Sequence, residues 1–253
     1  MPVQLLCMGM LFICFLDWKT TMNKFNFFHL SLWLLIAQFT WGVVSSTAQT
    51  APSMIEVALY RDLHQAAHRG DTASLKKIIA AGTDLEARDQ AGRTPLHVAA
   101  FASQYDAVRE LINAGSNPNA LENQAYDIVT IASVANDLEM VDLALDQGAN
   151  AGNITSPYDG TALIAAAHLG HYQVVERLIA GGAPLDHVNN LGWTALIEAV
   201  VLGDGGRDHV ETVRLLVAAG ADKTITDRQG VTPIEHARVR GYREIVALLE
   251  PER

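Results

Sequence analysis

Stretches of nine residues that resemble one another recur along this chain at a spacing near 33 residues, and that period constrains its fold more than any other feature. GRTPLHVAA at 92–100 aligns with DGTALIAAA at 159–167, GWTALIEAV at 192–200 and GVTPIEHAR at 230–238, with a fainter copy, AYDIVTIAS, at 125–133. From Thr94 to Asp127, Thr161, Thr194 and Thr232 the steps are 33, 34, 33 and 38 residues. A divergent first copy, RDLHQAAHRG at 61–70, lies one further step of 33 upstream. A fixed period of this size marks a chain built from stacked supersecondary units.

Each recurring residue has a local physical reason. Thr94, Thr161, Thr194 and Thr232 precede apolar runs and are placed to cap a helix through the hydroxyl, with Pro95 and Pro233 in the first turn where a missing N–H does no harm. Ala99, Ala132, Ala166, Ala199 and Ala237 follow five residues later, small enough for neighbouring helices to approach closely. Gly70, Gly170, Gly203 and Gly241 then end the short helix, with Asn136 in the third copy. A second helix follows in each copy with one apolar stripe, for example Val108/Leu111/Ile112 and Val174/Val175/Leu178/Ile179. Gly82, Gly115, Gly148, Gly182 and Gly220 stop these second helices. No copy buries its stripe alone, so the copies must stack and the end copies need polar outer faces. Arg238, Arg240, Arg243 and Glu244 suit such an end.

The period and the T-P-L-H-x-A run at 94–99 resemble the ankyrin repeat. The resemblance covers about 59–250 and implies an all-α solenoid of about six helix-turn-helix repeats joined by β-turn loops, near 59–90, 91–123, 124–157, 158–190, 191–228 and 229–250. The third copy departs from the pattern, with Asp127-Ile128-Val129 in place of T-P-L and NAGNITSP after its second helix, and is expected to be locally soft.

Residues 1–48 differ in kind, holding both cysteines, three of the four tryptophans and only three charged side chains. Met22 as a second start, Lys24, an apolar run and small Ser46 and Ala48 form the succession of a secretory signal peptide, with cleavage after Ala48 and a short linker at 49–58. The alternative is a signal anchor, because 25–44 is long enough to cross a hydrocarbon core of roughly 30 Å. An exported, most simply periplasmic, protein is the expectation, with an inner-membrane anchor as its rival. Without the leader the chain has 16 basic and 27 acidic residues, a formal charge of −11, which disfavours nucleic acid and anionic membranes as partners. It also has no cysteine, hence no disulfide and no thiol nucleophile.

Catalytic chemistry finds no foothold in the sequence. His64/His68 and His168/His171 have helical ligand spacing but no third ligand, and the family resemblance gives His64 and His97 a structural part in bonds between turns. A metal-dependent protein is therefore the weaker rival. No carboxylate pair can be nominated for acid-base work, and GDGG at 203–206 lacks phosphate-loop context. No enzyme activity, cofactor or metal is expected. The resemblance implies a monomer that binds another protein with its turn tips and the exposed face of the first helices. Side chains that vary between copies there include Arg93, Phe101, Tyr126, Tyr158, His168, Trp193 and Leu202. The aromatic rings at three successive turns serve either as interface anchors or as covers for the repeat junctions. Finally, excising Asp204–Asp208 from the fifth copy restores LGHVETVRLL beside LGHYQVVERL at 169–178. These five residues are predicted to be a solvated, tolerated insertion between two helices.

Overall fold

The computed structural model describes residues 49–250. Among them are thirteen helices and, apart from one isolated antiparallel bridge between Thr155 and Gly160, no strand. After α1 (Met54–Leu59) the helices come in six pairs: α2 and α3 (Asp62–Arg69, Thr72–Ala80), α4 and α5 (Pro95–Phe101, Tyr105–Asn113), α6 and α7 (Ile128–Val134, Leu138–Asp146). The series continues with α8 and α9 (Ala162–Leu169, Tyr172–Ala180), α10 and α11 (Ala195–Val201, Arg207–Ala218), and α12 and α13 (Pro233–Arg240, Arg243–Leu249). First helices pack on first helices, and second helices on second helices, in two parallel rows.

The capping logic holds at the atomic level. The side chains of Thr94, Asp127, Thr161, Thr194 and Thr232 each accept a hydrogen bond from the backbone N–H three residues on. The five recurring alanines are buried, which is what lets the first-helix row close up. Leu75, Leu111, Val141, Leu178, Leu216 and Ile245 fill the space between the rows. Asn136, at φ +56°, takes the left-handed conformation that Gly70, Gly170 and Gly241 take in their copies.

Between pairs, the turns form projecting fingers, each closed by a backbone bond such as Asp89 N to Arg93 O (3.0 Å) or Asn189 N to Trp193 O (3.0 Å). Neighbouring fingers are tied by Asn123 N to Ala91 O (3.0 Å), Ser156 N to Ala125 O (2.8 Å) and Asn190 N to Tyr158 O (2.8 Å). The third copy is as fully bonded as its neighbours. In the second copy His97 Nε2–H reaches Ala120 O and Tyr126 O; in the third, Thr130 stands at the equivalent place and donates to Thr155 Oγ1 at 3.0 Å.

Three expectations need correction. The segment read as a linker contains α1, held by a Ser53/Glu56 capping box, and it leaves Met54, Ile55 and Leu59 in solvent. The N-terminal end is therefore apolar outside, while the C-terminal end has the expected exposed Arg238, Arg240, Arg243 and Glu244. Gly203 is not left-handed; that conformation passes to Gly205, at φ +70°. The insertion is also only partly a turn, since Arg207 and Asp208 begin α11, which runs 12 residues. Its turn is docked: Tyr242 Oη donates to Gly203 O (2.9 Å), and the His209 ring bonds both Asp204 Oδ1 (2.9 Å) and His168 O (3.0 Å). Deleting Asp204–Asp208 moves His209 to the place His171 holds in the fourth copy and removes the bond between Asp204 and the His209 ring. The expected loss is about 1 kcal/mol in urea unfolding; a loss above about 3 kcal/mol would make the insertion a structural element.

Candidate binding surface

The seven variable residues do not form one surface. Arg93 is only 2% exposed. Its guanidinium donates from Nε to Asp89 Oδ2 at 2.7 Å, and it also pairs with Glu56 and reaches Thr50 O. Burial works against the Asp89 charge, but hydrogen bonds from the Arg93 backbone and side chain and from Tyr60 hold its carboxyl below the usual carboxylate range. Arg93 thus straps α1 to the first finger. Tyr126 is 7% exposed and sits in the core between repeats. Arg93 and Tyr126 are thereby corrected as partner-binding candidates: Arg93 is spent on the element that precedes its finger, and the Tyr126 ring takes the second of the two roles open to the turn aromatics, covering a repeat junction. Trp193, at the same register, is half-buried, and Phe101 is half-buried against the core.

Tyr158, His168 and Leu202 are exposed. Tyr158 tops the finger that the Thr155–Gly160 bridge braces, and Leu202 ends α10. His168 ends α8 with its ring Nδ1 3.3 Å from Glu198 Oε2. Glu198 is buried and also accepts from Asn189 Nδ2 at 3.0 Å. Asn189 Oδ1 in turn accepts from the amides of Leu191 and Trp193, both at 3.0 Å. An exposed imidazole is therefore aimed by a buried carboxylate, and the carboxylate by the amide that folds the Trp193 finger.

Glu198 and Asn189 were missed, although the signal was present. In the aligned nonapeptides Glu198 occupies the column of Val98, Ile131 and Ala165, which is apolar in those three copies and holds His236 in the last. Asn189 occupies the column of Asp89, Glu122 and Asp227, whose carboxylates brace their fingers in the same way. In the last copy Asp227 Oδ2 meets His236 Nε2 at 2.7 Å, so the polarity of the pair is reversed between copies.

Three other histidines, His64, His171 and His187, make bonds between repeats, the last from Nε2 to Asp159 O at 2.6 Å. His64 Nε2 bonds Arg93 O at 3.0 Å, and His171 Nδ1 donates to Ser133 O at 2.9 Å. Among the described residues no three His, Cys, Asp or Glu side chains gather as a metal ion requires. The amide of Asn153, in the letters of a glycosylation sequon, is turned inward to Asn119 Oδ1 (3.0 Å) and Asp127 Oδ2 (2.9 Å).

Comparison with known proteins agrees with this architecture. A family model described as ankyrin repeats (3 copies) matches residues 63–153 and 128–227. An ankyrin repeat domain from Acinetobacter baumannii AYE, solved as a crystal structure, is 44% identical with a TM-score of 0.71, over 74% of this chain and 95% of that one. The ankyrin repeat protein YahD of Escherichia coli (strain K12) is 41% identical over 98 residues, 38% of this chain; the match spans about half of that relative, 49% of its length. A chain in the structure of a predatory endopeptidase from Bdellovibrio bacteriovorus in complex with an immunity protein is 25% identical with a TM-score of 0.63, over 75% of this chain and 97% of that one.

Proposed function

The chain belongs to the ankyrin-repeat family, and on that premise we propose that it is an exported module that binds another protein through the exposed side of its first helices and fingers, with no catalysis of its own. Ankyrin repeats mediate protein–protein binding. The observation that carries the reading is that Tyr158, His168 and Leu202 stand exposed on the fourth and fifth repeats, with the half-buried Trp193 among them. His168 and Trp193 are both fixed by the Glu198–Asn189 relay, so the surface is ordered before a partner arrives. The structural relative found in a complex with a protein partner supports the same reading. Export rests on the signal-peptide pattern of residues 1–48, which lie outside the described residues. No helix among the described residues is long and apolar enough to cross a membrane.

One experiment tests both parts. The protein, carrying a photo-crosslinking residue at Leu202 or at the exposed Gln173 on the second-helix row, is recovered from its host after separation of periplasmic and membrane fractions. Intact mass is expected to start at Gln49, with a discrete protein adduct from position 202 and none from 173. A full-length species retained by membranes after alkaline washing would establish the anchored alternative. Absence of an adduct from the first-helix side would overturn the binding reading.

A further inference from the structure

The molecule's charge is not spread along the stack. Residues 49–109 hold seven basic and seven acidic side chains, and residues 207–253 hold eight of each. Residues 110–206 hold twelve acidic residues and one basic, Arg177. The whole formal charge of −11 on residues 49–253 therefore belongs to the middle of the array, between two neutral ends. Arg177 is itself committed to Asp142 and Asp146, at 2.5 and 2.6 Å, on the second-helix row.

The same stretch carries exposed apolar side chains at its finger tips. Leu121, Ile154 and Val188 stand on three successive fingers, with Tyr158 and Leu191 at the crests of the last two, each between 36% and 56% exposed. The bonds from Ser156 to Ala125 O and from Asn190 to Tyr158 O hold these three fingers side by side, so the row is continuous. At corresponding places the flanking fingers have Arg88 and Thr226. Arg88 donates to Gly92 O and Leu121 O, and Arg228 on the last finger donates to Asn190 O, so both cations border the row and are engaged with backbone. Within the row the exposed charges are Asp159, beside Tyr158, and Asp186, close before Val188.

We propose that the tips of the three central fingers are a docking surface for a basic protein segment, one that sets an apolar side chain on the Leu121–Ile154–Val188 row and Lys or Arg against Asp159 and Asp186. This deepens the binding reading above and rests on it. An apolar row gives a partner desolvated contact area, and an acidic field with no free cation selects the sign of what surrounds that contact. A second copy of this chain is a poor occupant, because its central repeats bring the same −11. Nucleic acid is excluded on the same ground.

The test uses the exported protein in its host, with a photo-crosslinking residue at Val188, at Thr226 on the last finger, or at Leu202, and sequencing of the adducted partner peptide by mass spectrometry. Yield at 188 is expected to exceed that at 226 at least tenfold, with adducted segments that are net positive around an apolar residue. In vitro, complex formation should weaken at least tenfold between 50 and 300 mM salt and again with Asp159→Lys. Because Asp186 Oδ1 accepts the Asp222 amide at 2.8 Å, D186N keeps that bond and removes only the charge, so its loss of yield cannot be ascribed to misfolding. Neutral or acidic adducted segments, or yields indifferent to salt and to both substitutions, would overturn the proposal. Capture at 202 but not at 188 would also overturn it while leaving the binding reading intact. Capture at neither position would remove both.

Discussion

Between pH 6.5 and about pH 4 the protein is expected to lose about 3 kcal/mol of folding stability through His97 alone. This ring is completely buried, and burial lowers its pKa to about 4, outweighing the hydrogen bonds to Tyr126 O and Ala120 O that favour the charged form. Its neutral tautomer follows from its neighbours: Nε2–H donates to the two carbonyls, at 3.2 and 3.0 Å, and Nδ1 accepts from the Thr94 amide at 3.2 Å. The folded pKa is depressed, so the stabilisation is whole above pH 6.5, where the unfolded ring is also neutral. It drains away as the pH falls, because the unfolded chain takes up a proton that the native ring refuses. Urea unfolding at pH 7 and pH 4.5 measures the loss, and His97→Gln isolates it. The variant should be less stable at neutral pH and lack most of the pH-dependent difference. Equal pH dependence in the two proteins would show that His97 is not the linked group.

That ring also shows how far the sequence could be read. Its place in T-P-L-H-x-A implied a bond between turns, and both carbonyls it reaches belong to the next finger. The helix starts, the buried alanines and the left-handed Asn136 were likewise legible, because each obeys a local rule that recurs at a fixed period. The burial of Arg93 and Tyr126 was not legible because it is decided by the elements packed against their fingers, α1 for Arg93 and the adjoining repeat for Tyr126, and a variable polar or aromatic residue on a turn carries no mark of those neighbours. The Glu198–Asn189 relay lies between the two cases: its members were conspicuous in their columns, but only the folding of the finger back onto the start of α10 brings two residues nine apart within 3.0 Å of each other. The insertion was found from the broken period, while its docking on Tyr242 and His168 depended on contacts 39 and 41 residues away.

Leu163→Ala is expected to do more than lower stability. Leu163 is fully buried in α8, in the fourth of six copies, and truncating such a side chain costs about 3 kcal/mol in lost transfer energy and residual cavity. In a linear array, stability is close to a sum of repeat terms and nearest-neighbour interfaces. Weakening a middle copy therefore weakens the only connection between the two ends. Contacts of the first-helix row run from α6 through α8 to α10, with no path around α8 on that side. Hydrogen exchange followed by mass spectrometry should show α8 to α13 opening at lower denaturant than α2 to α5, with the single wild-type transition splitting in two. Leu249→Ala removes a nearly equally buried side chain from α13, which among the described residues has a neighbouring repeat on one side only. Its effect should be confined to faster exchange in α12 and α13, with protection in α2 to α9 unchanged. The two substitutions together separate a stack of nearest-neighbour units from a single cooperative block. If Leu163→Ala lowered protection equally in every helix, the array would be folding as one unit and the neighbour-sum account would fail for this chain.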